Sequence, residues 1–152
     1  MFLRQYWKIG VKMIIYFDTS SFVKLYVEEE FSNEICDLLT KCDIAATSQI
    51  AYAEARAAFA RRFREKGYSQ VEYQKIVSDF NKDWANYLIV PVTNELIFQA
   101  GESAEKYALR GFDSIHLASA MTLKQKSGSE ISFSCFDSRL DAAAKQASFR
   151  LV

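Results

Sequence analysis

The sequence predicts a three-layer α/β domain, with a mainly parallel sheet flanked by helices on both sides. Short apolar runs alternate with longer segments of helical character, from residues 13–17 to residues 149–152. This alternation is typical of βαβ units, whose parallel strands are covered by crossover helices. The chain has 152 residues, half of them apolar, which suits one domain with a buried core. We therefore predict a single domain over residues 13–152 and an N-terminal extension of unassigned role over residues 1–12.

Each element has a local reason in the sequence. Short apolar runs predict strands at residues 13–17, 44–47, 88–90, 131–136 and 149–152. Longer amphipathic or alanine-rich segments predict helices at residues 22–27, 31–40, 48–66, 69–84, 93–109, 113–125 and 140–146. Gly67 is expected to end the third helix, and Gly111 to separate the fifth helix from the sixth.

Charge and cysteine content argue against several classes of protein. Basic and acidic residues number 19 each, so there is no global positive field, and a nucleic-acid ligand would need a local basic surface or a metal. Cys36, Cys42 and Cys135 have neither the number nor the spacing of a disulfide framework or a zinc site. No apolar stretch is long enough to span a membrane, and the start lacks a signal-peptide core. We therefore expect a cytoplasmic protein with no membrane partner.

Carboxylates follow two of the predicted strands. Asp18 comes directly after residues 13–17, and Asp137 directly after residues 131–136. The carboxyl ends of parallel strands form the ligand crevice of an open α/β sheet, so both side chains are expected at that edge. Asp113 opens a predicted helix and is a third candidate. Each of the three could instead cap a helix N-terminus, and this alternative stays open.

Glu54 lies on a predicted helix among apolar neighbours. A carboxylate within an apolar face is costly unless a cation or hydrogen bonds compensate it. The alternative is a glutamate at the edge of the apolar stripe, reaching water or pairing with Arg61. The residues three and four positions away are Ile50, Ala51, Ala57 and Ala58.

Four carboxylates at one edge would repel one another, and some would be forced to protonate. A hard divalent cation such as Mg²⁺ removes this conflict, because it prefers oxygen ligands. The ion lowers the pKa of a bound water and neutralises charge on a phosphoryl oxygen. The set therefore predicts a metal site that binds a phosphodiester, and its members are Asp18, Glu54, Asp113 and Asp137.

Four segments carry these acids, namely residues 16–26, 53–55, 111–120 and 133–140. In this order they resemble the four motifs of PIN-domain ribonucleases, especially VapC-type toxins. The resemblance extends over residues 13–152. It implies a PIN fold, with helices on both sides of a parallel sheet and acids converging at one edge.

The resemblance also implies an activity and partners. It implies Mg²⁺- or Mn²⁺-dependent cleavage of RNA by a metal-activated water. Asp18 and Asp113 would be the main metal ligands, and Glu54 and Asp137 would complete the site directly or through water. A cognate antitoxin that blocks the site, and a toxin homodimer, are implied as well.

Three further side chains are candidates for substrate binding. Lys24 lies one helical turn beyond Ser20 and could touch a phosphate, although a solvated lysine is the alternative. Ser20 could hydrogen-bond the water shell of the metal or simply cap the helix. Arg61 belongs to a basic cluster on the long helix, which could guide RNA phosphates or form a solvated face.

Three other features bear on the site. His116 is the single histidine and is interpreted as structural, because the metal would activate the water. The phenylalanines are interpreted as core and interface residues rather than base-stacking platforms. Cys135 stands two residues before the fourth acid, where the family often has Thr or Ser. Ser134 would point to the opposite side of the strand, so a hydroxyl contact to the site is lost or shifted.

Other functions fit parts of the pattern. A catalytically weak PIN scaffold that acts as a binding partner is one alternative, and Cys135 favours it. A structure-specific DNA nuclease would share the metal chemistry. A receiver-like signalling domain would explain an aspartate at a strand end but would not explain Glu54. We therefore predict a metal-dependent endoribonuclease that is the toxin of a toxin–antitoxin pair.

Overall fold

The computed structural model describes Gly10 and residues 13–152. The predicted extension over residues 1–12 thus lies outside the described residues, apart from Gly10. Five parallel strands form one sheet in the order β3-β2-β1-β4-β5. The strands are β1 (Ile14–Phe17), β2 (Ile44–Ser48), β3 (Leu88–Val90), β4 (Ile131–Ser134) and β5 (Arg150–Leu151).

Helices cover both faces of this sheet, which confirms the predicted three-layer α/β architecture. They are α1 (Thr19–Phe22), α2 (Ser32–Lys41), α3 (Ala51–Lys66), α4 (Gln70–Trp84), α5 (Asn94–Tyr107), α6 (Gly111–Ser127) and α7 (Ser138–Gln146). A single 3₁₀ turn, Val23–Leu25, follows α1 directly.

The alternation of side chains along β1 divides the core into two layers. Ile14 and Tyr16 face a layer built from α5, α6 and α7, whereas Ile15 and Phe17 face a layer built from α1 to α4. Successive side chains of a strand point to opposite faces, so a run that is apolar throughout is buried on both. All four β1 residues are at most 2% exposed, which makes β1 the centre of the fold.

Two predicted boundaries are wrong, each for a local reason. The predicted helix at 22–27 begins earlier, at Thr19, because Asp18 caps its N-terminus, and the chain then tightens into the 3₁₀ turn. Gly111 does not separate two helices but is the first residue of α6. The break lies at Ala108, which ends α5 in the left-handed conformation with φ of 52°.

The end of β4 also differs from the prediction. The strand stops at Ser134, so Cys135 and Phe136 form a short link before Asp137, which caps α7. Asp18 remains attached to the sheet, because its backbone N–H donates to the carbonyl of Ser134 at 3.1 Å. The carboxyl ends of β1 and β4 are therefore neighbours, and the acids that follow them are brought to the same edge. Within residues 13–152, none of the helices is long and apolar enough to cross a membrane.

Candidate functional site

Asp18 is the innermost acid at this edge of the sheet. Its side chain is 4% exposed and accepts hydrogen bonds from the hydroxyl of Ser20, at 2.7 and 2.9 Å to the two oxygens. The backbone N–H of Ser21 donates to it at 3.0 Å. Burial raises the pKa of Asp18, and the charge of His116 together with these hydrogen bonds offsets part of that rise. Asp18 thus caps α1 and presents a carboxylate at the strand end, so the capping alternative and the site prediction are compatible.

Glu54 projects from α3 toward the same edge. Its Oε1 accepts a hydrogen bond from the Thr19 hydroxyl at 2.7 Å and lies 2.7 Å from His116 Nε2. Burial raises the pKa of Glu54, but the hydrogen bonds from His116 and Thr19 and the charge of His116 outweigh it, so that the pKa is lowered overall. The compensating group for this carboxylate is therefore a histidine 62 residues away, not Arg61.

The position of Glu54 on α3 corrects one step of the sequence argument. The buried residues of α3 are Ala51, Ala55 and Phe59, whereas Ala57 is exposed. Glu54, with its side chain 27% exposed, stands at the edge of the apolar stripe rather than within it.

His116 connects Glu54 to the core. Its ring is 2% exposed, and Nδ1 lies 2.8 Å from the hydroxyl of Tyr16 on β1. When Nε2 carries the proton, the ring donates to Glu54 and accepts at Nδ1 from Tyr16. The Thr19 hydroxyl, 3.1 Å from Nε2, completes a closed set of polar contacts among three elements. This position agrees with the interpretation of His116 as structural, and it adds that the residue holds one of the four acids.

Asp113 and Asp137 line a cleft of about 480 Å³ together with Glu54. Asp113 lies in the first turn of α6 and is half-buried. Asp137 caps α7, because its Oδ1 accepts hydrogen bonds from the N–H groups of Arg139 and Leu140 at 3.0 and 2.9 Å. The fold thus brings three of the predicted carboxylates to one cleft.

The electrostatics of Asp113 reflect this gathering of acids. Burial raises its pKa, and the negative charges of Asp137 and Glu54 raise it further, whereas His116 and Arg110 lower it. A carboxyl group that is surrounded by other carboxylates resists ionisation unless a cation joins them.

The donor set suits a hard divalent cation in its chemistry and location. Glu54, Asp113 and Asp137 offer carboxylate oxygens to one cleft, and Mg²⁺ and Mn²⁺ prefer such ligands. Their mutual repulsion at Asp113 is the conflict that a cation would remove. Across residues 13–152, no three His, Cys, Asp or Glu side chains are already gathered into a group that could hold a metal ion. The carboxylates therefore share a cleft without forming a closed coordination sphere.

The three predicted substrate-binding residues occupy different surroundings. The hydroxyl of Ser20 donates a hydrogen bond to Asp18 and accepts one from the backbone N–H of Phe136 at 2.9 Å. Lys24 donates to Glu29 at 3.0 Å and to the carbonyl of Glu30 at 2.9 Å, instead of pointing freely at the cleft. Arg61 is exposed on α3, two helical turns beyond Glu54, at about 10 Å along the helix axis.

Four residues that were not predicted to belong to the site also line the cleft, namely Arg110, Gly111, Phe112 and Ile115. Arg110 and Phe112 stand beside Asp113, and Phe112 is 62% exposed. Arg110 and Phe112 could have been predicted from the sequence, because they lie within three residues of Asp113 at the start of α6.

Cys135 packs against the layer built from α5, α6 and α7, and its thiol contacts the carbonyl of Asp137 at 3.3 Å. Burial, with the nearby charge of Asp18, raises the pKa of this thiol. Ser134 points to the opposite side, as expected, where its hydroxyl lies 2.8 Å from that of Ser21. The position two residues before Asp137 thus carries a neutral thiol close to the acids.

Comparisons with known proteins agree with this geometry. The PIN domain matches residues 15–146 of the chain. Ribonucleases VapC45 and VapC49 of Mycobacterium tuberculosis are each 35% identical to it over 139 residues, which is 91% of this chain and 94% of each relative.

Two solved structures share the fold at low identity. PAE2754 from Pyrobaculum aerophilum superposes with a TM-score of 0.65 at 14% identity, over 99% of this chain and 91% of that one. A toxin–antitoxin complex from Klebsiella pneumoniae gives a TM-score of 0.59 at 15% identity, over 81% of this chain and 86% of that one. Taken together with the acidic cleft at the sheet edge, the domain match and the identity to two VapC ribonucleases show that the chain belongs to the PIN-domain family, as a VapC-type member.

Proposed function

We propose that the protein is a metal-dependent endoribonuclease and the toxin of a toxin–antitoxin pair. The observation that carries the proposal is the convergence of Glu54, Asp113 and Asp137, from three different elements, on one cleft beside the buried Asp18. Acids that repel one another in a cleft are typical of a site that operates with a divalent cation.

The chain's own residues would divide the work as follows. Asp18 and Asp113 are proposed as the main ligands of Mg²⁺ or Mn²⁺, with Glu54 and Asp137 completing the site. Thr19 and His116 hold Glu54 in one orientation through the hydrogen bonds to its Oε1. Arg110, on the wall of the cleft, offers positive charge to a phosphate. The bound cation would supply an activated water and neutralise charge on the phosphoryl oxygen.

RNA is the proposed substrate, because the two relatives that are 35% identical are named ribonucleases. The proposal of an antitoxin partner follows from the VapC-type membership, and a neighbour in fold was solved as a toxin–antitoxin complex. The family resemblance also leads us to propose a homodimer. Ser20, Lys24 and Arg61 remain candidates for contacts to RNA.

The decisive experiment compares two amide variants. Purified protein is incubated with total RNA, with Mg²⁺ or Mn²⁺ or with excess EDTA, beside Asp113→Asn and Asp37→Asn. Asp37 is exposed on α2, so its variant makes the same chemical change away from the cleft. We expect Asp113→Asn to lower the cleavage rate at least about 100-fold, because a metal site contributes several kcal/mol to transition-state stabilisation. Asp37→Asn should cleave like the wild type.

The outcomes separate the proposal from its alternatives. Cleavage that survives EDTA or Asp113→Asn would show that this cleft is not the active site. Folded wild-type protein that leaves RNA intact under both metals would favour the binding scaffold. Cleavage of branched or single-stranded DNA in preference to RNA would favour the DNA nuclease.

The toxin role has its own test. Induced expression of the wild type in a bacterial host should arrest growth, whereas Asp113→Asn should not, at equal protein levels. Co-expression of an antitoxin should restore growth, and light scattering of the purified toxin should give the mass of a dimer.

A further inference from the structure

Two phenylalanine rings lie stacked and exposed beside the acidic cleft. Phe31 and Phe136 have ring centroids 5.3 Å apart and planes inclined by 22°, and they are 44% and 43% exposed. Among the described residues, the other aromatic side chains are buried or half-buried, apart from Phe98 and Phe112. This pair, which we term the aromatic pair, therefore needs a separate explanation.

The aromatic pair is tied to the acids by hydrogen bonds. The backbone N–H of Phe136 donates to Ser20 Oγ at 2.9 Å, and the same hydroxyl donates to the carboxylate of Asp18. Phe136 also precedes Asp137, which lines the cleft. The position of the rings is thus linked to that of two of the acids through one hydroxyl and one peptide bond.

A cation accompanies the rings. The ammonium group of Lys24 lies 4.5 Å from the centroid of the Phe136 ring, within the range of a cation–π contact. Lys24 is anchored to Glu29, which also pairs with Arg62, so two cations face one carboxylate here. An exposed aromatic surface with a cation lying over one of its rings is the combination that binds single-stranded nucleic acid.

The backbone of Phe31 is held in an unfavourable conformation. Its φ of 68° lies in the left-handed region, which costs a residue with a Cβ free energy relative to glycine. The strained residue is an exposed phenylalanine next to a candidate active site. Retained strain at such a place is typical of a residue with a role in binding.

We propose that the aromatic pair stacks a base of the RNA substrate next to the cleft, with Lys24 contributing positive charge for the phosphate backbone. This inference rests on the proposed ribonuclease function and deepens it, because it assigns a base-binding subsite. The base would extend the stack on the exposed surface of the rings. The subsite lies next to Asp137, so a nucleotide held there would place an adjacent phosphate near the acids.

The test measures RNA affinity separately from cleavage. A fluorescently labelled single-stranded RNA decamer is titrated by anisotropy into protein that carries Asp113→Asn, and KM and kcat are measured in the active background. We expect Phe136→Leu, which keeps an apolar side chain but removes the ring, to weaken binding about 5- to 100-fold, the range for one base on an aromatic ring. KM should rise by a similar factor while kcat changes little. Phe136→Tyr should bind like the parent.

Two further variants sharpen the result. Phe31→Gly should weaken RNA binding while raising the thermal midpoint, because it removes a stacking ring and the left-handed strain together. Phe98→Ala, at a residue that is 74% exposed on α5, is the control for loss of an exposed ring elsewhere and should leave affinity unchanged. An otherwise identical decamer with abasic sites should bind wild type and Phe136→Leu equally weakly.

The outcomes are distinct from those of the proposed function. If the wild type cleaves RNA but Phe136→Leu binds and cleaves like it, the base-stacking subsite is excluded while the nuclease stands. Equal losses for Phe136→Leu and Phe136→Tyr would also overturn it, because stacking survives in the tyrosine. If the variants keep full RNA affinity but lose binding to a co-expressed antitoxin, the aromatic pair is a protein contact and the inference fails. Wild-type protein that neither binds nor cleaves RNA would contradict the nuclease proposal itself.

Discussion

Glu54 and Asp113 are carboxylates that line one cleft from two different helices, and their electrostatic surroundings are opposite. On the α3 side, Glu54 faces His116 and the hydroxyl of Thr19, and its pKa is lowered. On the α6 side, Asp113 faces Asp137 and Glu54, and its pKa is raised. One wall of the cleft is therefore neutralised by the protein, whereas the other wall is not.

The difference shows how a net-neutral protein can prepare a site for a cation. A cleft with every acid paired internally would have no need for a metal, and a cleft with none paired would be costly to fold. Here the donors from Thr19 and His116 fix the carboxylate of Glu54 in place. The repulsion at Asp113 leaves a demand for positive charge, which a divalent ion would meet.

Removal of His116 should have the largest effect on stability. We expect His116→Ala to lower the free energy of unfolding by about 3 kcal/mol, because it opens a cavity and removes the hydrogen bonds of the ring to the buried Tyr16 hydroxyl and to Glu54. Urea denaturation measures the loss. Tyr16→Phe, which removes one hydroxyl, should cost about 1 kcal/mol. Equal stability of His116→Ala and wild type would show that this set of contacts does not support Glu54.

Divalent cations should act mainly through the α6 wall. We expect Mg²⁺ at about 100 times its dissociation constant to stabilise the wild type by about 2.7 kcal/mol, provided that the unfolded chain does not bind it. Thermal unfolding with Mg²⁺ and with EDTA measures the shift. The shift should be strongly reduced in Asp113→Asn and preserved in Asp37→Asn. A shift that is the same in all three proteins would place the ion elsewhere.

The placement of Asp18 and Asp137 at one edge of the sheet could be predicted from the sequence, because it follows from the topology of a parallel sheet. Asp18 and Asp137 follow apolar strands, and the carboxyl ends of neighbouring parallel strands meet in space whatever the loops do. Asp113 and Glu54 were candidates from their positions on predicted helices, and the family resemblance assigned them to the same site. The structure brings both to the cleft lined by Asp137. Their proposed roles as ligands remain predictions.

The partners of these acids could not be predicted in the same way. Glu54 and His116 are separated by 62 residues, and no local pattern links them. The left-handed conformations of Phe31 and Ala108 could not be predicted from the sequence either, since glycine or asparagine usually indicates such a position. The aromatic pair depends on both the turn at Phe31 and the early end of β4, so it emerges only from the assembled fold.

Amide substitution at Glu54 tests the neutralised wall. Because the pKa of Glu54 is lowered in the fold, its ionised form stabilises the protein above the ordinary value of 4.5, and this contribution is lost as pH falls through the folded pKa. We expect Glu54→Gln to destabilise the protein by about 1.5 kcal/mol at pH 7, the lower end of the range for a hydrogen bond to a charged group. The difference from wild type should shrink below pH 4.5. If Glu54→Gln is destabilised by the same amount below pH 4.5, the loss comes from altered packing and not from the lost charge.

The matching substitution at Asp113 should have the opposite sign and the smallest size. The folded pKa of Asp113 is raised above 3.8, so the folded protein binds more protons than the unfolded chain between 3.8 and that pKa, and ionisation costs stability as pH rises. Asp113→Asn should therefore be more stable than wild type at pH 7 without metal. The gain stays below about 1 kcal/mol, because water screens a half-buried group and the α6 N-terminus favours a carboxylate. For a chain of this length, that gain raises the melting temperature of Asp113→Asn by at most about 2–4 °C. The difference in melting temperature should vanish below pH 3.8. A destabilised Asp113→Asn at pH 7 would mean that this wall is already neutralised, and the contrast with Glu54 would be lost.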